Sequence, residues 1–455
     1  MKEKTYEIDM TKGGLVWQML LFALPLMLSS ILQLLFNAAD VIVVGRFAGS
    51  ASLAAVGSTT PLINLITNLF IGISIGCNVV VSQNYGAKKY ELVSKAVHTS
   101  IALGLFAGVL LSLIGVTFAG SFLRMMGSPE DVISLATLYL RIYFGGMTAT
   151  MLYNFGAAVL RAVGDTRRPL FYLSFAGVIN VLLNLVFVIK LHMGVAGVGL
   201  ATVISQCISA ALVIRCLFRE TGCLKLVISK IRFSSSVLIQ ILRVGVPAGI
   251  QSSLFAVSNV VIQSGINSFG SVVMAGSAAA ANIEGFVYMA MNAFMQTSLT
   301  FTSQNYGAGN TKRVDKVIRN ALIMVTVTGL LLGNLAYLCG PWLLRLYASD
   351  AAVIAAGMLR LKCICVVYAL CGIMDSLVGV LRGLNCVMIP MFSSLFGSCV
   401  LRLVWVATFF QTHHEAYVLY ISYAITWIIT ICAHIVCLVI VRRKAYRRLL
   451  NVKSV

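Results

Sequence analysis

Between Leu15 and Val44 the chain runs for thirty residues with one charged side chain, Asp40. Apolar runs of this kind recur along all 455 residues. A water-facing surface needs roughly a quarter of its residues charged. Here the charged share is 11% against 59% hydrophobic, so the outer face must meet lipid. Inside a bilayer each backbone amide has to be satisfied within its own segment, which makes every run a helix of about 20 residues or more. The run from Leu15 is too long for the apolar core of a signal peptide, and no small-residue cleavage site follows it. It is expected to remain as the first span.

Twelve spans are expected, centred near Leu28, Ile66, Phe106, Ile142, Leu182, Ile204, Phe255, Met289, Leu330, Ala369, Ser398 and Trp427. An even number puts both termini on one side. Of the 34 Lys and Arg residues, 26 fall in the N-terminus, the even-to-odd loops and the C-terminal tail. The opposite loops hold only Arg46, Arg124, Lys190 and Arg345. The positive-inside rule therefore places both termini in the cytoplasm of a multi-pass protein of the plasma (bacterial inner) membrane. The net charge of +20 is then a topology signal. Its basic residues are scattered over short loops without interleaved aromatics, which argues against a nucleic-acid partner. The tail at 442–455, with Arg442, Arg443, Lys444, Arg447 and Arg448, is expected to rest on anionic headgroups of membrane lipids. Most of the twelve cysteines sit in apolar segments and act as small hydrophobes. Cys363 and Cys365 are too close for a zinc pair, so no metal and no bound cofactor are expected.

The hexapeptide SQNYGA occurs at Ser82–Ala87 and again at Ser303–Ala308, 221 positions later. Arg161 and Arg382, and Pro169 and Pro390, share that offset; Pro25 and Pro247, and Asn37 and Asn259, stand 222 apart. Polar and proline residues carry these matches, so shared greasiness does not explain them. The chain reads as an all-α integral membrane protein with two pseudo-symmetric six-helix lobes. Because six is even, both lobes insert the same way round, as a parallel repeat. The expected boundaries are a cytoplasmic N-terminus at 1–14, lobes at 15–218 and 237–441, and a basic linker at 219–236. Gly86 and Gly307 suit helix C-termini, and Asn84 and Asn305 can bond freed carbonyls there, so the hexapeptides read as caps or hinges.

Three acids fall inside spans: Asp40, Glu284 and Asp375. A carboxylate in hydrocarbon costs at least a few kcal/mol and should face a cavity or a partner. Asn37 and Gln33 lie one and two turns before Asp40 on the same helical face. Asn180 and Asn184 in span 5, and Asn64 and Asn68 in span 2, repeat at i, i+4. Together these residues read as a wet cavity in the N-terminal lobe, where Asp40 alternately holds and releases a coupling cation or proton. Burial penalises the charged form of a carboxylate, which brings proton loading within reach. In the second lobe Glu284 precedes the methionine- and aromatic-rich FVYMAMNAFM around Met289, a pattern suited to an adaptable binding wall. Asp375 stands two turns before Arg382, and a cavity-facing acid is favoured there over an ion pair. Pro25 and Pro247 each remove a backbone hydrogen bond and permit a kink in spans 1 and 7.

These residues resemble the multidrug and toxic compound extrusion (MATE) family. The likeness rests on DVIVVGR from Asp40, the paired SQNYGA ends, LRAVGDTRRP from Leu160, its counterpart LRGLNCVMIP from Leu381, and NVLLNLVFV from Asn180. It extends from about Gly14 to Arg443. The resemblance implies H+- or Na+-coupled antiport of small amphipathic, often cationic compounds by rocking of two lobes, with no enzymatic step. Asp40 matches the family's span 1 acid, Asn180 and Asn184 its span 5 polar pair, and Glu284 an acid of a bacterial subgroup. Some relatives carry aspartate at the position of Asn184, and others an acid near Cys371. A monomer is expected.

Two other readings compete. A flippase for lipids or lipid-linked sugars needs a strongly basic cavity to hold pyrophosphate, and the spans hold only Arg141, Arg360, Lys362 and Arg402. An intramembrane hydrolase is suggested by Gly72-Ile73-Ser74-Ile75-Gly76, but that motif needs a strand-to-helix turn and here lies in a continuous apolar run. Small residues for close helix packing explain it better. His434 reads as core packing. No G-x-x-x-x-G-K-[ST] loop is present for ATP, and a passive channel leaves a proline-jointed duplication unexplained.

Overall fold

The computed structural model describes residues 7–126 and 130–453. Helix follows helix: α1 (Leu15–Phe47), α2 (Ser50–Gly86), α3 (Tyr90–Met125), α4 (Glu130–Gly145), α5 (Met147–Ala162), α6 (Arg167–Asn184), α7 (Gly194–Arg219), α8 (Ser235–Asn267) and α9 (Ser271–Gly307). The remainder are α10 (Thr311–Leu338), α11 (Gly340–Arg345), α12 (Ala351–Ile364), α13 (Ala369–Gly383), α14 (Met388–Ser394), α15 (Leu401–Ala407), α16 (Phe409–Thr412) and α17 (Ala416–Lys453). Among the described residues ten helical segments are long and apolar enough to cross a membrane, and two bent pairs, each counted as one span, raise the number to twelve. The bends fall at equivalent places in the two halves, between α4 and α5 at 45° and between α12 and α13 at 46°.

The duplication is visible in backbone detail. α2 and α9 are each 37 residues long, and each starts after a glycine in the left-handed region, Gly49 and Gly270, both at φ 85°. Both end in the same C-terminal motif. Lys89 N–H donates to Asn84 O and Lys88 N–H to Tyr85 O; Asn310 and Gly309 repeat the pattern on Asn305 and Tyr306. These are Schellman caps. The hexapeptide glycines stand at helix C-termini as expected. Gly86 and Gly307 close the helices, but the left-handed residues are Lys88 and Gly309. The asparagine side chains also bond back into their own helices, Asn84 Nδ2 to Val80 O and Asn305 Nδ2 to Phe301 O. A second pair of such caps ends α5 and α13, at Gly164 and Asn385.

Contacts divide the chain into two compact units, one of residues 28–249 with the N-terminal stretch to Asp9, the other of Met10–Met27 and Ile250–Val455. This differs from lobes split at the 219–236 linker. The first half of α1 belongs with the second unit and the first half of α8 with the first. Pro25 and Pro247 lie inside these helices, each two residues before the division. A helix that lacks one backbone bond can let its two ends follow different neighbours.

Within the first unit, α2 and α8 meet backbone to backbone. A Cβ on Gly72 would stand 2.2 Å from Gly249 N, and one on Gly76 would stand 2.3 Å from Ile241 O. Reciprocally, a Cβ on Gly245 would stand 2.5 Å from Ile73 Cα. Ser74 is buried and donates to Ile71 O at 2.7 Å. The G-x-S-x-G run is a helix-packing surface.

Candidate ion-coupling site

Two helices of the first unit, α6 and α7, bring Asp40 of α1 its partners. Gly177 of α6 has Phe36 of α1 so close that a Cβ there would fall 1.8 Å from the ring, and this approach sets α6 against the polar end of α1. Asn180 and Asn184 follow one and two turns later on the same face. α6 passes into a π-helical turn, Leu185–Lys190, directly after Asn184; widened turns of this kind recur at functional sites.

Asp40 is 9% exposed, and Asn184 is fully buried. Asn184 Nδ2 donates to Asp40 Oδ1 and, at 3.2 Å, to Asn180 Oδ1. Asn180 Nδ2 donates to Thr202 Oγ1 of α7 at 3.4 Å. Thr202 Oγ1 stands 3.4 Å from Asp40 Oδ2 and 3.0 Å from Val198 O. A hydroxyl carries one proton, so Thr202 gives it either to the carboxylate or to its own helix. Asn184 Oδ1 is buried without a partner. Among the described residues no Lys, Arg or His pairs with Asp40. The result is one negative charge held by the Asn184 amide and the Thr202 hydroxyl, with Asn180 bonded to both of those, and a carboxylate so placed has oxygens able to take a proton or a small cation. Thr202 escaped the sequence reading because a threonine in an apolar helix that bonds its own i−4 carbonyl carries no signal.

Other residues of the expected cavity stand apart from this network. Gln33, Asn37 and Asn64 are exposed and Asn68 is half-buried, and no hydrogen bond joins any of them to Asp40. On α2 the buried face is formed by Leu62, Ile63, Thr67 and Ile73, which leaves Asn64 and Asn68 off it. Glu284 is also corrected, because it lines no open binding wall. Arg360 donates to both its carboxylate oxygens at 2.8 Å, and the same guanidinium reaches Ser277 Oγ at 2.7 Å. The guanidinium also lies 5.7 Å from the Tyr420 ring centroid. All of this is buried. Met289 is half-buried. Asp375, also half-buried, forms no ion pair with Arg382, whose Nη2 donates to Gln251 Oε1 at 2.8 Å. Among the described residues no group of three His, Cys, Asp or Glu could hold a metal ion.

The profile of the MatE family matches residues 25–186 and 247–408, two windows that open on the paired prolines. The chain belongs to the MatE family. YoeA of Bacillus subtilis (strain 168), described as a probable multidrug resistance protein, is 30% identical to this MATE chain over 389 residues, 84% of each. YpnP of the same organism, similarly described, is 28% identical over 405 residues, 88% of this chain and 90% of that one. A crystal structure described as MATE in complex with MaL6 shares the fold at a TM-score of 0.89 and 21% identity, covering 99% of this chain and 100% of that one.

Proposed function

We propose that this MATE transporter exports amphipathic compounds bearing a cationic group in exchange for H+ or Na+, with Asp40, Asn180, Asn184 and Thr202 as the coupling site and both termini cytoplasmic. The observation that carries this is Asp40 itself: a buried carboxylate with neutral partners and no countercharge. A carboxylate in such a place is costly unless something positive visits it. Relatives named as probable multidrug resistance proteins support the export of drug-like cargo. The ion at Asp40 and the cargo favour different states, and a coupling of a few kcal/mol between them drives exchange. The flippase reading gains no support. Arg360 is neutralised by Glu284, and Arg141 and Lys362 are exposed, which leaves Arg402 alone of the four basic span residues buried without a carboxylate.

The test is uptake of a fluorescent cationic dye into inverted vesicles, with a pH gradient and a sodium gradient imposed separately. The gradient that drives uptake names the ion. Asp40→Asn should abolish driven uptake while membrane insertion and dye binding persist; wild-type uptake by that variant would overturn the assignment.

A further inference from the structure

The segment that joins α7 to α8 is folded onto the first unit and pinned along α3. Leu224 and Leu226, each 2% exposed, enter the same apolar core as Val93, Ala96 and Val97 of α3, and Lys225 between them is exposed. Leu226 N–H donates to Leu217 O at 2.9 Å, and a single 3-10 turn follows at Ile228–Lys230. Two buried side chains of α3 hold the rest. His98 Nδ1 stands 2.7 Å from Ser94 O, so that nitrogen carries the proton, and Nε2 accepts from Val227 N–H at 3.0 Å. Thr99 Oγ1 accepts from Ser234 N–H at 3.2 Å and donates to Arg232 O at 3.4 Å.

The outward residues differ from those of a water-facing loop. Ile228 is 73% exposed and Phe233 47%. Beside them stand Lys225, Lys230 and Arg232, all exposed. No Asp or Glu occurs between Thr221 and Ser235, and among the described residues none of the three cations forms an ion pair. Phe233 marks the depth of the segment. Its ring packs edge-on, centroids 6.2 Å apart, against Phe106 of α3, which is itself 57% exposed on a helix apolar enough to span the bilayer. The segment also starts and finishes at the ends of spanning helices, Arg219 of α7 and Ser235 of α8. It therefore lies where hydrocarbon meets headgroup. Exposed apolar and basic side chains side by side are the pattern of an interfacial element, whereas a soluble polyanion calls only for the charge.

We propose that residues 222–234 are a docking element for anionic phospholipid, in which Ile228 and Phe233 enter the acyl boundary while Lys225, Lys230 and Arg232 take the phosphate headgroups. Charge complementarity decides the occupant. A zwitterionic headgroup brings an ammonium towards three unpaired cations; phosphatidylglycerol brings the phosphate alone. Each basic side chain near such a surface strengthens binding by roughly fivefold. The inference is independent of ion coupling at Asp40 and of the basic tail at 442–455, which belongs to the second unit.

Hydrogen–deuterium exchange of the full-length protein reads this element separately from the tail. In mixed micelles of a nonionic detergent with phosphatidylcholine, peptides covering 222–234 should exchange rapidly, and stepwise replacement by phosphatidylglycerol should slow them about fivefold or more. Lys225→Gln, Lys230→Gln and Arg232→Gln should each raise the phosphatidylglycerol fraction at half-protection by roughly fivefold, and the triple variant should exchange alike in both lipids. Ile228→Ser combined with Phe233→Ser should weaken the protection. All five side chains are exposed, so these variants should fold as the wild type does, which an unchanged melting temperature in detergent alone checks. Equal exchange of the wild type in the two lipids, an unchanged midpoint in the triple variant, or wild-type protection in the Ile228→Ser, Phe233→Ser variant would each overturn the proposal. Equal protection by inorganic phosphate or a short RNA in phosphatidylcholine micelles would overturn it too.

Discussion

Asn184 spends both amide protons on Asp40 and Asn180, and Thr202 has one proton for two acceptors. The carboxylate can therefore change its charge with only a hydroxyl rotation beside it. Its geometry depends on Gly177. Gly177→Ala drives a methyl into Phe36 and should destabilise the fold by roughly 1–3 kcal/mol, read as a fall in melting temperature; adding Phe36→Leu should restore most of it. Glu284→Gln strands a buried guanidinium and should cost roughly 3–5 kcal/mol, while Glu284→Gln with Arg360→Met should recover much of that. A double variant no better than the single one would count against the ion pair's purely structural role. Near the N-terminus, burial raises the Glu7 carboxyl above its ordinary value, although the Tyr85 hydroxyl that donates to it pulls the other way. A raised value means that Glu7's contribution to stability is full below the unfolded-state pKa and lost as pH rises through the folded one. Glu7→Gln should accordingly melt higher than wild type at pH 7 and together with it below about pH 4. Asp40, Asn180 and Asn184 were legible in the sequence because polar side chains stand out in apolar helices. The Glu284–Arg360 pair was not, since its partners lie 76 residues apart and periodicity carries no such distance.

Among the helices, the spans were the most legible feature, because lipid leaves a chain few alternatives to helix. All twelve expected centres fall within the ten spanning segments and two bent pairs. The bends between α4 and α5 and between α12 and α13 had no advance signal, and neither did the π-helical turns at Leu185–Lys190 and Leu395–Val400. Such departures depend on neighbours packed from elsewhere in the chain. The α2–α8 surface yields a sharp expectation. Gly249→Ala would place a methyl 2.4 Å from Leu69 O, and a backbone atom cannot rotate aside as a side chain can. Gly249→Ala should abolish accumulation of folded protein, measured by monodisperse yield in detergent, whereas Gly57→Ala, with no atom within 4 Å of its added methyl, should leave the yield unchanged.

For the molecule as a whole, the duplication fixed most of the plan in advance, down to repeated caps 221 residues apart. The two halves have nevertheless diverged in charge: the position 222 after Asp40 is Ile262, and those 221 before Glu284 and Arg360 are Ile63 and Tyr139. If the basic loops face inward, a green fluorescent protein fused to either end should fluoresce, and an alkaline phosphatase fused there should stay inactive. The exchanged half-helices carry a further consequence. A gene cut within 219–236 yields two polypeptides, neither holding all the residues of either unit, since Met10–Met27 travels with the first fragment and 235–249 with the second. Neither should accumulate when made alone, and co-production should rescue both. The doubled halves are thus laced together, each lending part of one helix to the other's unit.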